Sequence, residues 1–571
     1  MDSKNHSSDT ESWTTTDLEK ASRPVSPTTT THHDPHLEPI RSVATNVVHR
    51  PMDDPDGGDL LNLPSRVLND TANITEYTEE TAAGHMLKEV RSQATGQIER
   101  YELVTWKVGD PENPKNWPKW KKWWVTMAVA LSAFVVALDS SVITADVKGP
   151  QKEFGVSSTV SLLAISLFVV GFGVGPLAFA PLSEQLGRWP VYTVTLGLSV
   201  IFIIPCAVAK NIETLLVGRA LGGIAISAPM TLVAGTLADI WKAEERGVPM
   251  AFFSAAPFIG PAIGPLIGGF LVPLGWRWLY YIQLIITGAI WIVMAFFVPE
   301  TYTPALLKKR AKKLRKETGD NKYVTEQDLD TRPFSQQMRI FLIRPLQLLF
   351  LEPIVLFISL YMSLLYSLLY VFFVAYPIVF EEGKGWEPWQ TGLMFIPLAA
   401  GVMFSAAMSP LVNKHYIKLC RKHNNRPPPE VRLIPMMLSC WFIPIGLFIF
   451  AWTSYPRLTW VGPCLAGLPV GFGFIFLYNS ANNYLVDSYT HQAASAMAAK
   501  TLIRSFCGAA VVLFTNQMYA GMGYQWATTL LAFLGCACCI IPFFFYYRGA
   551  KVRTKSRFAY AGEPAEEEVK K

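Results

Sequence analysis

The chain has 571 residues, of which 51% are hydrophobic and only 16% are charged, and its mean hydropathy is +0.25. Soluble domains of ordinary composition carry roughly 25% charged residues, so the composition excludes an ordinary soluble domain and predicts an integral membrane protein. The formal net charge of +6 is modest and lies outside the apolar runs, which indicates membrane orientation and predicts no nucleic-acid partner.

The N-terminal part differs in composition from the rest of the chain. Residues 1–105 are rich in Ser, Thr, Asp, His and Pro and lack sustained hydrophobic periodicity. No apolar stretch of the signal-peptide type opens the chain. Such a composition cannot bury enough apolar surface to offset the entropy of ordering. We therefore predict a disordered cytoplasmic N-terminal tail over residues 1–105.

Apolar runs recur from residue 123 onward, each close to the ~20 residues that a helix needs to cross a bilayer. They predict an all-α integral membrane protein with twelve transmembrane helices in two six-helix halves, 106–298 and 353–547. A cytoplasmic central loop, 299–352, separates the halves, and a cytoplasmic C-terminal tail covers 548–571. The predicted spans are 123–144, 160–181, 190–209, 212–238, 248–274, 279–298, 353–380, 389–412, 432–453, 458–482, 495–520 and 524–547.

The basic segments predict the orientation. They are "KKRAKKLRK" (308–316), "NKHYIKLCRKHNNR" after span 8 and "RGAKVRTKSR" after span 12, whereas the opposite loop "AGMGY" has no Lys or Arg. Because basic loops stay in the cytoplasm, both termini are predicted to be cytoplasmic. Two interpretations of residues 308–316 stay open: a solvated amphipathic helix on the inner leaflet, or a binding site for anionic lipid.

Enzyme and pump signatures are missing from the sequence. It contains no GxxxxGK[ST] phosphate loop and no GxSxG elbow, and all nine His lie in tails or loops. Cys536 and Cys539 form a CxxC within "LGCACCIIPFFF", which predicts packed thiols, with a metal or redox site as the alternative. We expect no enzymatic activity, no cofactor and no metal. A non-transporting receptor of the same fold stays as an alternative.

Five segments occur in order along the chain: "DPENPKNWP" (110–118), "PLSEQLGRWP" (181–190), "LLVGRALGG" (215–223), "GPAIGPLIGG" (260–269) and "PETYTPALLKKRAKKLRKETGD" (299–320). Together they resemble the motifs of the fungal twelve-span drug:proton antiporter group of the major facilitator superfamily. Ala180 and Ala251 stand where those motifs have glycine. The resemblance implies two halves around a central cavity, alternating access, and coupling to protons. A weak internal echo, the Pro-Leu pair at 181–182 and 410–411, agrees with parallel repeats, but the charged cluster is complete only in the first copy.

Ionisable residues inside predicted spans are functional hypotheses because burying them in lipid is costly. Asp139 in span 1 and Arg219 in span 4 share a similar depth. The resemblance places these spans around the cavity, so we expect the carboxylate beside the guanidinium as a proton-coupling pair. The alternative is a static pair that only fixes packing.

A second pair of charges lies in span 11. Lys500 and Arg504 are four residues apart and share a helix face, so they are expected to line a substrate cavity and attract an anionic group. The alternative is that Lys500 extends to the inner surface. The resemblance implies an inner gate made of charges at the ends of spans 2 to 5, with solvated loop charges worth about 0–1 kcal/mol each as the alternative. The gate residues are Glu184, Arg188, Asp239 and Arg246.

The Gly- and Pro-rich part of span 5 predicts unusual packing. Glycines spaced by four fall on one face and let helix backbones approach closely, and the neighbouring prolines remove backbone donors and bend the helix. Tight packing alone is one interpretation, and a bent hinge between the halves is the other. The residues assigned to it are Gly260, Pro261, Gly264, Pro265, Gly268 and Gly269.

These features predict a proton-coupled secondary transporter that exports a small organic or amphiphilic compound, such as a drug or secondary metabolite, across the plasma membrane. The alternative is an uptake carrier, or an organic-acid or polyamine transporter of the same superfamily. The expected partners are the small-molecule substrate, protons and membrane lipid, and the multi-pass protein is expected to be a monomer.

Overall fold

The computed structural model describes residues 86–91, 98–107, 109–242, 245–329, 334–422, 428–489, 492–556 and 558–559. Most of the predicted N-terminal tail, residues 1–85, and the end of the predicted C-terminal tail, residues 560–571, lie outside the described residues.

Within those ranges, twelve helices are long and apolar enough to cross a bilayer. This confirms the predicted all-α membrane fold, with six spans before and six after the central segment. The spans, numbered 1 to 12 in chain order, are Lys119–Asp146, Ser158–Leu186, Arg188–Ala207, Ile212–Ile240, Gly247–Leu274, Arg277–Phe297, Pro353–Glu382, Pro388–Leu419, Pro429–Thr453, Val461–Ser488, Ala493–Met522 and Tyr524–Lys555.

Several helices continue beyond the apolar runs. The helix Ile396–Lys422 includes most of the basic segment that the sequence predicts as a loop after span 8. The helix Ile540–Lys555 likewise contains the first residues of the predicted C-terminal tail. Hydropathy reports where the lipid-compatible part of a helix ends, and backbone hydrogen bonding can continue into water. The helices that form spans 8 and 12 therefore extend beyond the ends predicted from hydropathy.

The central segment is largely helical, with helices Thr303–Thr318, Glu326–Leu329 and Phe334–Leu351. Between the first two lies a short strand, β3 (Tyr323–Val324), which pairs in parallel with β2 (Ile98–Leu103). β2 in turn pairs antiparallel with β1 (Met86–Arg91). The prediction of disorder up to residue 105 is therefore wrong for the two strands. Their pairing with the central segment is distant in sequence, so no local pattern indicates it.

Two ion pairs fix the basic helix Thr303–Thr318. Arg310 Nη1 donates to Asp110 Oδ2 at 2.6 Å, and Arg315 Nη2 donates to Asp328 Oδ2 at 2.6 Å. Burial acts to raise the pKa of Asp110, but the hydrogen bonds from Arg310 and the Glu112 backbone together hold it below its usual value. These arginines of residues 308–316 thus bind protein carboxylates. We call the side of the bundle that carries this segment the central-loop face.

The glycine face of span 5 packs against span 1. A β-carbon at Gly260 would lie 2.7 Å from the Ala137 β-carbon, and one at Gly264 would collide with Ser141 Oγ. A β-carbon at Gly268 would lie 2.5 Å from the Val142 carbonyl oxygen. Spans 1 and 5 belong to the same half. The four-residue spacing identifies a packing face but does not name its partner, and for Gly260, Gly264 and Gly268 that partner is span 1 of the same half.

One glycine of the motif does lie at the boundary between the halves. A β-carbon at Gly269 would lie 2.6 Å from the Pro388 carbonyl oxygen at the start of span 8. Reciprocally, a β-carbon at Gly392 would lie 2.7 Å from the Pro265 carbonyl oxygen. Spans 5 and 8 therefore approach backbone to backbone, which only glycine at these positions permits.

Gly264→Ala should destabilise the protein by about 1–3 kcal/mol, because the added methyl group overpacks the contact with span 1. Gly288→Ala in span 6 is the matched control, since a β-carbon there meets nothing within 4 Å. Thermal unfolding of the two purified variants in detergent measures the difference. Equal unfolding temperatures for both variants would contradict the packing argument.

Candidate functional site

Arg219 binds the backbone of its neighbours. Its side chain is buried, and Nη2 donates to the main-chain carbonyl of Asp139 at 3.1 Å while Nε donates to the carbonyl of Ala164 at 3.1 Å. The guanidinium also stacks 3.9 Å from the centre of the Phe168 ring. The structure thus brings Asp139 and Arg219 together, but the expected contact between carboxylate and guanidinium is not formed. The guanidinium instead links spans 1, 2 and 4 through two carbonyls.

The Asp139 carboxylate has a different partner. Thr287 Oγ1 donates to Asp139 Oδ2 at 2.9 Å, whereas Oδ1, although buried, has no hydrogen-bond partner among the described residues. Gln283 Nε2 donates to the Asp139 carbonyl at 2.9 Å. Thr287 and Gln283 are four apart on span 6, and sequence reasoning missed both because they are neutral. Two polar residues on one face of an otherwise apolar span are the signal that could have found them.

A small cavity adjoins this cluster. Its volume is about 10 Å³, close to the space that a single water molecule needs. Asp139, Arg219 and Gln283 line it together with Tyr280 and Ser199. The cavity is too small for an organic substrate, so this cluster suits proton or water chemistry.

Arg188 and Asp239 form an ion pair at the central-loop face. Arg188 Nε donates to Asp239 Oδ2 at 3.3 Å, and Nη1 donates to Ser183 Oγ at 2.6 Å. A β-carbon at Gly235 would lie 2.7 Å from Arg188 Nη2, so glycine there lets the guanidinium approach span 4. The side chains of the ion pair are only 12% and 17% exposed, which shields it from the screening that weakens surface pairs.

Glu300 joins this cluster, and sequence reasoning assigned it no role. Its carboxylate accepts the backbone N–H groups of Arg188 at 2.9 Å and Trp189 at 3.1 Å. These two residues begin span 3, where a carboxylate is favoured by the free N–H groups and the helix dipole. Gly187, with φ +100°, makes the turn that presents them. The "PET" triplet at 299–301, directly after span 6, is the sequence signal that could have identified Glu300.

The other two predicted gate residues lie nearby. The Glu184 carbonyl accepts a hydrogen bond from Gln327 Nε2 at 2.6 Å, which ties the end of span 2 to the central segment. Arg246 precedes span 5 and makes no ion pair within 4 Å among the described residues. Burial lowers the pKa of Arg246, and the charge of Asp239 acts in the opposite direction. Arg246 therefore interacts with the ion pair only at longer range.

The second half contains a matching ion pair. Arg432 Nε donates to Asp487 Oδ2 at 2.7 Å, and its guanidinium lies 3.6 Å from the Tyr416 ring centre. Arg432 lies at the start of span 9 and Asp487 at the end of span 10, as Arg188 and Asp239 do for spans 3 and 4. The sequence indicates the charged cluster in the first half only. The structure shows that an Arg–Asp ion pair occupies the same position in the second half, although the sequence motif is absent there.

Lys500 is enclosed within the helix bundle. It is 0% exposed, its Nζ donates to Asn482 Oδ1, and Met497 Sδ lies 3.8 Å away. The ammonium also lies 4.8 Å from the Tyr478 ring centre. The alternative that Lys500 extends to the inner surface is therefore excluded in this conformation.

Arg504 lies one turn further along span 11 among aromatic rings. It is 5% exposed, and its guanidinium lies 4.3 Å from the ring centre of Tyr366 and 5.9 Å from that of Phe172. Tyr366 and Tyr370 share a hydrogen bond of 3.2 Å between their hydroxyls. Lys500 and Arg504 thus share one aromatic-lined region, and their assignment to a substrate cavity stays a prediction.

The sequence pattern of the Major Facilitator Superfamily matches residues 129–512, more than half of the chain. The chain is 59% identical to the MFS transporter paaT of Penicillium rubens, over 93% of this chain and 97% of that protein. It is 44% identical to the multidrug transporter mdrA of Aspergillus fumigatus, over 80% of this chain and 76% of that protein. The proton:xylose symporter XylE shares the fold with a TM-score of 0.55 at 15% identity, covering 76% of this chain and 96% of XylE. The chain therefore belongs to the major facilitator superfamily and is a twelve-span membrane transporter, not an enzyme.

Proposed function

We propose that the protein is a proton-coupled secondary transporter that exports a small organic or amphiphilic compound across the plasma membrane. In this proposal the halves 106–298 and 353–547 alternate access to a central site, both termini are cytoplasmic, and the monomer is the working unit. The observation that carries it is the Asp139 carboxylate, buried within a span, with one oxygen that has no hydrogen-bond partner in the described part of the chain. The description of FUB11 of Gibberella moniliformis, 42% identical to this chain, as an efflux pump supports export over uptake.

The contacts of Arg219 support a carrier role for Asp139. A guanidinium bonded directly to the carboxylate would be left unpaired each time the acid took up a proton. Here Nε and Nη2 of Arg219 donate to the carbonyls of Ala164 and Asp139, so these two hydrogen bonds persist in either protonation state of the carboxyl group. Asp139 can therefore gain or lose a proton without breaking these hydrogen bonds of Arg219. The unpaired Oδ1 offers the place for the proton.

The Arg–Asp pairs support rigid-body movement of each half. Arg188–Asp239 joins spans 3 and 4, and Arg432–Asp487 joins spans 9 and 10, so each pair lies within one half. We propose that they keep each half stiff, in place of the inner gate that the resemblance implied. Lys148–Glu382 does cross between the halves, on the opposite face, at 2.9 Å. Both of its side chains are more than half exposed, so the bond is weak enough to break during transport.

Asp139→Asn should abolish gradient-driven export at nearly normal surface abundance, because it removes the proton site and keeps the size of the side chain. Arg219→Ala should also lower abundance, since the Asp139 and Ala164 carbonyls each lose a hydrogen bond from a charged donor, worth about 1.5–3 kcal/mol, although Gln283 still donates to the Asp139 carbonyl. The measurement is efflux per surface molecule from cells loaded with rhodamine 6G or with fluorescein, using whichever dye the wild type exports. Normal pH-dependent efflux by a well-expressed Asp139→Asn variant would contradict the role of Asp139 as the proton carrier.

Thr287→Val should change the pH profile of export, because Thr287 donates the one hydrogen bond to the Asp139 carboxylate found among the described residues. Thr515→Val is the matched control. Both threonines are 0% exposed, but Thr515 donates to the Val511 carbonyl of its own helix. The same efflux assay across external pH measures the effect. If both variants kept the wild-type profile, Thr287 would have no influence on the proton site.

Arg188→Gln and Asp239→Asn should be non-additive in a double-mutant cycle, with a coupling of about 0.5–3 kcal/mol, because the charges interact directly in a shielded site. The exposed pair Lys313–Glu317, 75% and 58% exposed, is the control and should couple by about 0.3–0.5 kcal/mol. Reversible unfolding of purified variants in detergent provides the free energies. Additive effects at Arg188 and Asp239 would contradict the stiffening role.

A further inference from the structure

Two cations in the interior of the bundle lack an anionic partner. Lys500 and Arg504 are 0% and 5% exposed, and no carboxylate lies within 4 Å of either among the residues that the structure describes. Charged side chains at this depth normally pair with an opposite charge because lipid and protein solvate them poorly. The neutral amide oxygen of Asn482 is the hydrogen-bonded oxygen partner of Lys500. The positive charge of this region is therefore not balanced by the protein parts described.

Arg504 has unused hydrogen-bonding capacity. Its Nε is buried and has no acceptor within the described part of the chain. Guanidinium groups bind carboxylates in a fork geometry with strong charge-assisted hydrogen bonds. A buried guanidinium with an unpaired donor, one helical turn from an ammonium group, is a preformed half of such a contact.

Aromatic rings enclose the same two cations. Tyr478 lies between them, its ring centre 4.8 Å from Lys500 Nζ and 5.8 Å from the Arg504 guanidinium carbon. Tyr366 and Phe172 stand on other sides of Arg504, from spans 7 and 2. The surfaces thus come from both halves of the transporter. An apolar, flat molecule can pack against such rings while its charged end reaches the cations.

We propose that this region is the substrate site and that the substrate is an organic monoanion with an aromatic body. Its carboxylate, or an equivalent anionic group, binds Lys500 and Arg504, and its body packs against Tyr366, Tyr478 and Phe172. The inference rests on the proposed export function, because it names the class of compound exported. Polyamines are excluded as substrates of this site, since their charges repel both cations.

The test is binding of radiolabelled 2-naphthoate to the full-length protein in lipid nanodiscs at pH 7, where the carboxylic acid is ionised. The neutral 2-naphthamide and the cationic spermidine serve as competitors. We expect saturable binding of 2-naphthoate, with both competitors at least about tenfold weaker, because hydrogen bonds to charged groups contribute strongly. Absence of saturable binding, equal competition by the amide, or effective competition by spermidine would overturn the proposal.

Variants locate the site. Lys500→Gln and Arg504→Gln should each weaken 2-naphthoate binding by about tenfold or more, and Arg504→Lys should restore part of the loss because it keeps the charge. Arg548→Gln, which removes an exposed positive charge at the end of span 12, is the control and should bind normally. Wild-type affinity in both Gln variants would overturn the assignment. Asp139→Asn distinguishes the two proposals. It should bind 2-naphthoate normally, because the substrate site does not include Asp139, and this result is expected whether or not Asp139 carries the proton.

Discussion

Every charged group inside a membrane span must find its partners within the protein, because the hydrocarbon offers none. Arg219 meets this requirement through two backbone carbonyls, and Arg188 through a carboxylate, a serine hydroxyl and a glycine that lets it approach. The satisfied groups tie helices together. The incompletely satisfied ones, Asp139 and Arg504, lie where we place the proton and the substrate. The division between structure and function follows the division between satisfied and unsatisfied hydrogen-bonding groups.

This constraint also explains how much of the site the sequence predicts. Asp139 and Arg219 were found because charges inside apolar runs are conspicuous, and a common depth suggested that they meet. The depth of two residues does not say which atoms touch, so the carbonyl contact of Arg219 was beyond reach. Gln283 and Thr287 escaped notice because neutral side chains interrupt hydropathy very little. Sequence reasoning detects the charge and misses its neutral partners.

The sequence predicts those features of the fold that depend on a single helix, such as the number of spans. It predicts less well the contacts between two elements. Twelve spans follow from twelve apolar runs. The glycines of span 5 predict close helix packing, but the sequence does not say against which helix. The structure shows that three of them pack against span 1, which is determined by the tertiary fold of the first half. The pairing of β2 with β3 joins segments far apart in sequence. Arg432–Asp487 repeats the ion pair of the first half in position, although the surrounding motif is absent from the second.

The central claim is that protons drive transport through Asp139, and proton movement itself tests it most directly. The purified protein would be reconstituted in liposomes containing the pH-sensitive dye pyranine, with a proton gradient imposed and no ATP present. The account predicts that 2-naphthoate added to the wild type accelerates the collapse of the gradient, and that the Asp139→Asn protein does not respond. Movement of 2-naphthoate by the wild type without any change in internal pH would contradict the account.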